Sequence, residues 1–208
     1  MPVAAGKRDA LTFRTHRPPS WGRFFFTWSL LAALCSHSIV MAQESGSDPE
    51  NKSLRDVAVV VSIDQQIDDS VVRRFDATIA ELLEREVRIV IVQLSTPGGT
   101  IDASRKLAES IDNLTEKGVE TFAWVPNGQQ AYSGGTMVAL ACRNLVMGDN
   151  SRIGDVQPID IFGKELPEKI QTTVRADMRR WARDRGYPIA LAEAMVTKEM
   201  TVLKVRTA

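Results

Sequence analysis

Three short runs of β-branched and aromatic residues, at 57–63, 87–94 and 120–125, alternate along the chain with stretches that read as helix or turn. This alternation constrains the fold more than any other feature. After the first run, Val71, Val72, Phe75, Ile79, Leu82 and Leu83 recur at spacings of three and four with charges between them, which predicts an amphipathic helix. After the second, a helix is predicted over 101–116, stopped by Gly118 in the manner of a helix C-terminus. After the third, a polar loop at 126–132 leads to a short apolar helix from Ser133 to Ala141 and a further strand at 144–147. Beyond Pro158 a loop reaches Leu166-Pro167-Glu168-Lys169, and a charged helix then runs to about residue 185. Strands that alternate with helices pair in parallel, because parallel neighbours need a crossover, so the chain is read as α/β. In such domains the reactive groups sit on the loops that follow the strands.

Two of those loops are glycine turns: Thr96-Pro97-Gly98-Gly99-Thr100 and Ala131-Tyr132-Ser133-Gly134-Gly135-Thr136. Each follows a strand and precedes a helix, so each can present backbone N–H groups at one edge of the sheet. The N–H of Gly99 and that of Gly134, at a positive helix terminus, would suit an oxyanion, where one donor is worth about 3 kcal/mol in a transition state. On local features alone Ser133 is either a nucleophile or only the N-cap of its helix. A nucleophilic serine needs a base, and both histidines, His16 and His37, lie in the N-terminal segment. The commonest substitute for imidazole is a desolvated lysine amine, so a Ser/Lys hydrolase is the expected chemistry. A free lysine titrates near 10.4, so a base useful near pH 7 must have its ammonium form destabilised by roughly 4 kcal/mol through burial.

Composition removes other classes. Twenty-six basic and 26 acidic residues balance, and there is no long Lys/Arg run, which argues against a nucleic-acid partner. No Gly-x-x-x-x-Gly-Lys phosphate loop is present, and ATP is not implied. Lys7, Arg8, Arg14, Arg17 and Arg23 precede an apolar stretch at 24–34, and Val40-Met41-Ala42 offers a cleavage site, so residues 1–42 read as an export signal or a membrane anchor. Residues 43–55, rich in Ser, Glu, Asp and Asn, read as a flexible linker, and 56–208 as the folded domain. Cleavage would leave Cys142 as the sole cysteine, in an apolar setting that suits a small core residue, and no metal site or cofactor is expected.

Three motifs in register carry a resemblance: Gln93-Leu94-Ser95-Thr96-Pro97-Gly98-Gly99, the Ser133 turn, and Ile153-Gly154-Asp155-Val156-Gln157-Pro158. In order and spacing they resemble the ClpP/crotonase superfamily of serine peptidases over about residues 57–201. They look most like the membrane-associated NfeD (stomatin-operon partner) peptidase domain, with similarity to signal peptide peptidase A around Ser-Gly-Gly. The resemblance implies a spiral of ββα units and a Ser/Lys dyad of Ser133 and Lys169, with Lys164 the nearest rival base. It places oxyanion donors on the backbone of Gly99 and Gly134; Gly98 and Tyr132, beside them, are read as substrate contacts. It further implies a protein or peptide substrate cleaved in an apolar segment, an exported (periplasmic or membrane-associated) location, homo-oligomers, and no cofactor.

The chain departs from the family in three places. Tyr132 stands where alanine is usual and Asp155 where a small uncharged residue is usual, and a carboxylate near Lys169 would favour its ammonium form. Family members continue into a closing strand and helix, so the chain, ending at Ala208, is read as a C-terminally truncated domain. These departures motivate a second reading, an inactive ClpP-like binding or assembly module. A crotonase-type acyl-CoA enzyme shares the fold, but export would separate it from CoA.

Overall fold

The computed structural model describes residues 53–203. Four parallel strands, β1 (Ala58–Ile63), β2 (Ile89–Leu94), β3 (Glu120–Val125) and β5 (Asn144–Met147), form one sheet in the order β1-β2-β3-β5. Between them run α1 (Asp69–Glu84), α2 (Ile101–Glu116), a three-residue strand β4 (Gln130–Tyr132) and α3 (Gly134–Ala141). The chain then adds β6 (Arg152–Gly154), α4 (Glu168–Arg185) and α5 (Ile189–Ala194). The α/β class with parallel pairing is as the alternation predicted.

In β1 and β2 burial alternates residue by residue: Val59, Val61 and Ile63, and Val90, Val92 and Leu94, point into the core while their neighbours are half-buried. The side-chain period of two makes that split, and the parallel register carries it from strand to strand, with Val61 beside Val92 and Val92 beside Ala123. The helices pack in chain order, α1 on α2, α2 on α3, α3 on α4 and α4 on α5.

A second, smaller ladder runs through part of the stretch expected as loop. β4 pairs in parallel with β6, Ala131 opposite Ile153, and Thr96 bridges Ala131 from the other side, while Ile67 bridges Gly99. Each long strand is therefore followed by a short extended piece in this second layer and then by a helix or loop, which is the ββα repeat. Two of these pieces, β4 and β6, are only three residues long, too short for a periodic pattern to register, which is why the sequence at 126–132 reads as a polar loop. The helix α5 lies beyond the predicted elements altogether.

The expected leader at 1–42 lies outside the described residues, as does 43–52 of the expected linker. Leu54 and Arg55, at that linker's end, are attached to the domain: the Leu54 N–H donates to the Arg85 carbonyl at 2.7 Å, and Arg55 pairs with Glu86. Among the described residues no helix is long and apolar enough to cross a membrane.

Candidate active site

The Ser133 turn is fixed by hydrogen bonds on both flanks. Before it, the Tyr132 N–H donates to the Thr96 carbonyl at 3.1 Å and the Thr96 N–H to the Gln130 carbonyl at 2.8 Å. The Ser133 N–H itself donates to the Gly154 carbonyl at 2.8 Å. Thr136, fully buried, ties the three segments together: its Oγ1 donates to the Ala131 carbonyl at 2.7 Å and accepts from the Gly154 N–H at 2.7 Å. Sequence reasoning missed this residue, although a polar side chain opening a wholly apolar helix was its signal.

So held, Ser133 adopts φ 50° and ψ −116°, a conformation L-residues rarely enter. Its side chain makes no capping bond to α3. The N-cap alternative therefore loses its physical basis, because the capping interaction is the benefit that would favour serine there. The hydroxyl has no hydrogen-bond partner among the described residues and stands half-buried at the mouth of a cleft of about 410 Å³.

Gly98 and Gly99 form the facing wall. Gly98 has φ 103°, and a Cβ there would come within 2.7 Å of Ser133 Cβ and 2.8 Å of the Tyr132 carbonyl oxygen. Only glycine lets the two turns approach this closely. The Gly98 carbonyl accepts from the Ile67 N–H at 2.8 Å and the Thr100 N–H donates to the Ile67 carbonyl at 3.1 Å, which leaves the Gly99 N–H between them without an acceptor among the described residues. The Gly134 N–H, at the first position of α3, also has none. Gly99 N lies 3.3 Å from where a Gly134 Cβ would be, so the two amides stand close together beside the serine. This arrangement can polarise a carbonyl and receive the negative charge that forms on its oxygen.

Of the residues expected in the site, the fold brings together Ser133, Gly98, Gly99 and Gly134. Gln66, Pro97, Asp155, Gln157 and Ile159 complete the cleft. Tyr132 meets the site through its backbone, and its ring is not part of the cleft lining. Asp155, with φ 53°, does border the cleft. Lys169 is the second residue of α4, exposed, and outside the cleft lining, and Lys164 is likewise exposed.

Cys142 is the buried core residue its setting predicted: it is inaccessible, and burial pushes its thiol up to about 12. The same desolvation raises the Tyr187 hydroxyl to about 12, and that group donates to the Cys142 carbonyl at 3.1 Å.

Comparison with known proteins agrees with this architecture. The membrane-bound protease PH1510 of Pyrococcus horikoshii is 27% identical over 154 residues, covering 71% of this chain and 34% of that protein. The chain thus spans about a third of the length of the curated relative it matches. Two solved structures of the 1510-N membrane-bound stomatin-specific protease, both 27% identical, superpose with a TM-score of 0.63. One is a serine-to-alanine mutant, covering 71% of this chain and 72% of that one; the other is a lysine-to-alanine mutant in complex with a substrate peptide, covering 71% and 68%. The description "NfeD1b, N-terminal domain" matches residues 57–208, nearly the whole folded part, and the chain belongs to that family.

Proposed function

We propose that this chain is an exported, membrane-associated serine peptidase. Ser133 Oγ attacks a peptide carbonyl while its proton passes to the neutral Lys169 amine, and the Gly99 and Gly134 N–H groups hold the oxyanion. The ammonium then gives the proton to the leaving amine as the C–N bond breaks, and a water repeats the sequence on the acyl-enzyme. The observation that carries this reading is Ser133 itself, held at φ 50° without a capping role beside two unpartnered donors. Strain of this kind costs about 1–3 kcal/mol and persists where the surrounding bonds over-determine it. The relative named as a protease, and its solved variants at a serine and at a lysine, support a serine/lysine pair in this fold. A substrate lying across Ile159, an exposed residue that lines the cleft, would present an apolar segment.

Lys169 sets the condition on this mechanism. Exposed on the first turn of α4, it serves as base only when the 158–167 segment folds over an occupied cleft and buries its amine against Ser133. The same exposure, with Asp155 at the cleft, favours the second reading: an inactive module that binds a protein segment. Fluorophosphonate labelling of the full chain in detergent, from pH 6 to 10, separates the two. Labelling is expected to vanish in Ser133→Ala and to fall at least about a hundredfold in Lys169→Ala. A folded wild-type chain that takes no label, or one labelled equally well without Lys169, overturns the dyad.

A further inference from the structure

A smaller cavity of about 60 Å³ opens beside the nucleophile and shares Gly99, Ser133, Gln157 and Ile159 with the main cleft. Ile101, Met137, Val156 and Val174 form an apolar wall, and Ser104, Ser133 and Gln157 are the polar lining. Of the polar three, one is both buried and unpartnered. Ser104 is fully buried, and its Oγ has no hydrogen-bond partner among the described residues. Ser104 sits on the inward face of α2, whose other buried members are Ala103, Leu107, Ala108, Ile111 and Leu114. Its hydroxyl is turned toward the catalytic turn: a Cβ on Gly134 would lie 1.9 Å from Ser104 Oγ but 2.7 Å from Ser104 Cβ.

A buried hydroxyl without a partner is costly, and an alanine at this position of an apolar helix face would avoid the cost. The group becomes useful if something entering the cavity pairs with it. A water needs roughly 15 Å³ on this measure, so the cavity admits on the order of four heavy atoms. That excludes aromatic and long side chains and suits serine or threonine, whose hydroxyl would meet Ser104 while a threonine methyl packs on the apolar walls.

We propose that this cavity is the primary specificity pocket and that Ser104 selects a small hydroxyl-bearing side chain, threonine or serine, at the residue whose carbonyl Ser133 attacks. The inference rests on the peptidase reading for its chemistry, but the pocket can be tested without turnover. A site with a hydrogen bond to offer discriminates against an isostere that cannot accept it, because the buried group is then left unpaired. Threonine and valine are such a pair, equal in shape and different in one hydroxyl.

The experiment measures binding of two peptides, identical except for a C-terminal Thr or Val, to the full chain in detergent by calorimetry. Their terminal carboxylate imitates the oxyanion at the Gly99 and Gly134 donors. kcat/KM for the matching Thr–X and Val–X substrates is measured in parallel. The Thr peptide is expected to bind about tenfold or more tightly, and in Ser104→Ala the ratio falls to near one while Tm holds or rises. A merely structural role for Ser104 would instead lower Tm and weaken both peptides alike. Equal affinities in the wild type, a preference that survives Ser104→Ala, or no binding of either peptide overturns the proposal. Selective binding with no cleavage of either substrate sustains the pocket and removes the peptidase reading; cleavage without selectivity does the reverse.

Discussion

The two helices that carry the proposed dyad are opposites. α3 is eight residues long, every one of them buried, and Ser133 precedes it in a turn bonded to the Gly154 carbonyl. α4 is 18 residues long with only Val174, Met178, Trp181 and Ala182 buried, and Lys169 projects from its exposed first turn. Their far ends are nevertheless joined. At the C-terminus of α3, Arg185 Nε donates to the Ala141 carbonyl at 3.0 Å and the Tyr187 hydroxyl to that of Cys142, satisfying acceptors that a helix end leaves open. Arg185 is itself paired with Asp112 of α2, which also binds Arg180 at 2.8 Å, and Asp177 binds Arg105 at 2.7 Å. α4 is thus tied to α2 and α3 along its second half, whereas the bonds around its first turn are, among the described residues, to its own helix and to the loop before it. In the proposed mechanism the nucleophile and its oxyanion donors are held by the fold itself, whereas the proposed base, Lys169, stands exposed on the first turn of α4.

That contrast is sharpened most by substitutions of one residue on each side. A Cβ at Gly99 would lie 1.9 Å from the Ile67 carbonyl oxygen, and the obstacle is backbone, so the second-layer bridge must open. Gly99→Ala should cost about 3 kcal/mol or more, a fall in Tm on the order of 10 °C. Lys169→Ala removes an exposed side chain and should stay within about 0.5 kcal/mol. Thermal melts of the two variants check both. A tolerated Gly99→Ala would mean that the oxyanion wall is pliable, and a large loss in Lys169→Ala would mean that the lysine already has a structural partner.

The same division explains what the sequence made legible. α2, β3 and β5 fall where their patterns put them, because each is long enough or apolar enough to show a period. The Ser133 and Gly98-Gly99 turns were legible because a glycine needed for close approach leaves a letter in the sequence. Thr136 was harder to see, since its role depends on Gly154 being 18 residues away in the chain and 2.7 Å away in space. Lys169 is named only through the resemblance, whereas its exposure is what Glu168-Lys169 on a charged helix suggests by itself, since such pairs usually form a solvated face.

Burial of α3 can be titrated at its far end. Burial holds the Cys142 thiol at about 12, well above the value near 8.5 expected in an unfolded chain. The folded state therefore binds the proton more tightly. Its contribution is fully present below about pH 8.5 and is lost as pH rises from there toward 12, by up to about 1.4 kcal/mol per pH unit. Denaturant unfolding at pH 8, 9 and 10 should show this decline, and Cys142→Ala should flatten part of it. Native protein at pH 8 should also resist thiol reagents that modify it once unfolded. Rapid modification of the native chain would show that the end of α3 opens, and the contrast with α4 would weaken.

A smaller gain in stability tests the turn itself. Ser133→Gly relieves the conformation at φ 50°, a gain within the 1–3 kcal/mol that such backbone strain costs, set against roughly 1 kcal/mol of glycine's unfolded-state entropy. A net stabilisation of about 1 kcal/mol is expected, read as a rise in the urea midpoint at unchanged slope. Ser133→Ala keeps the Cβ and should show no such gain, which separates relief of strain from loss of the hydroxyl. If glycine instead destabilises the domain, the serine is comfortable where it stands. Its orientation would then be a by-product of the glycine-rich turn, and the case for a turn strained in order to present a nucleophile would fall with it.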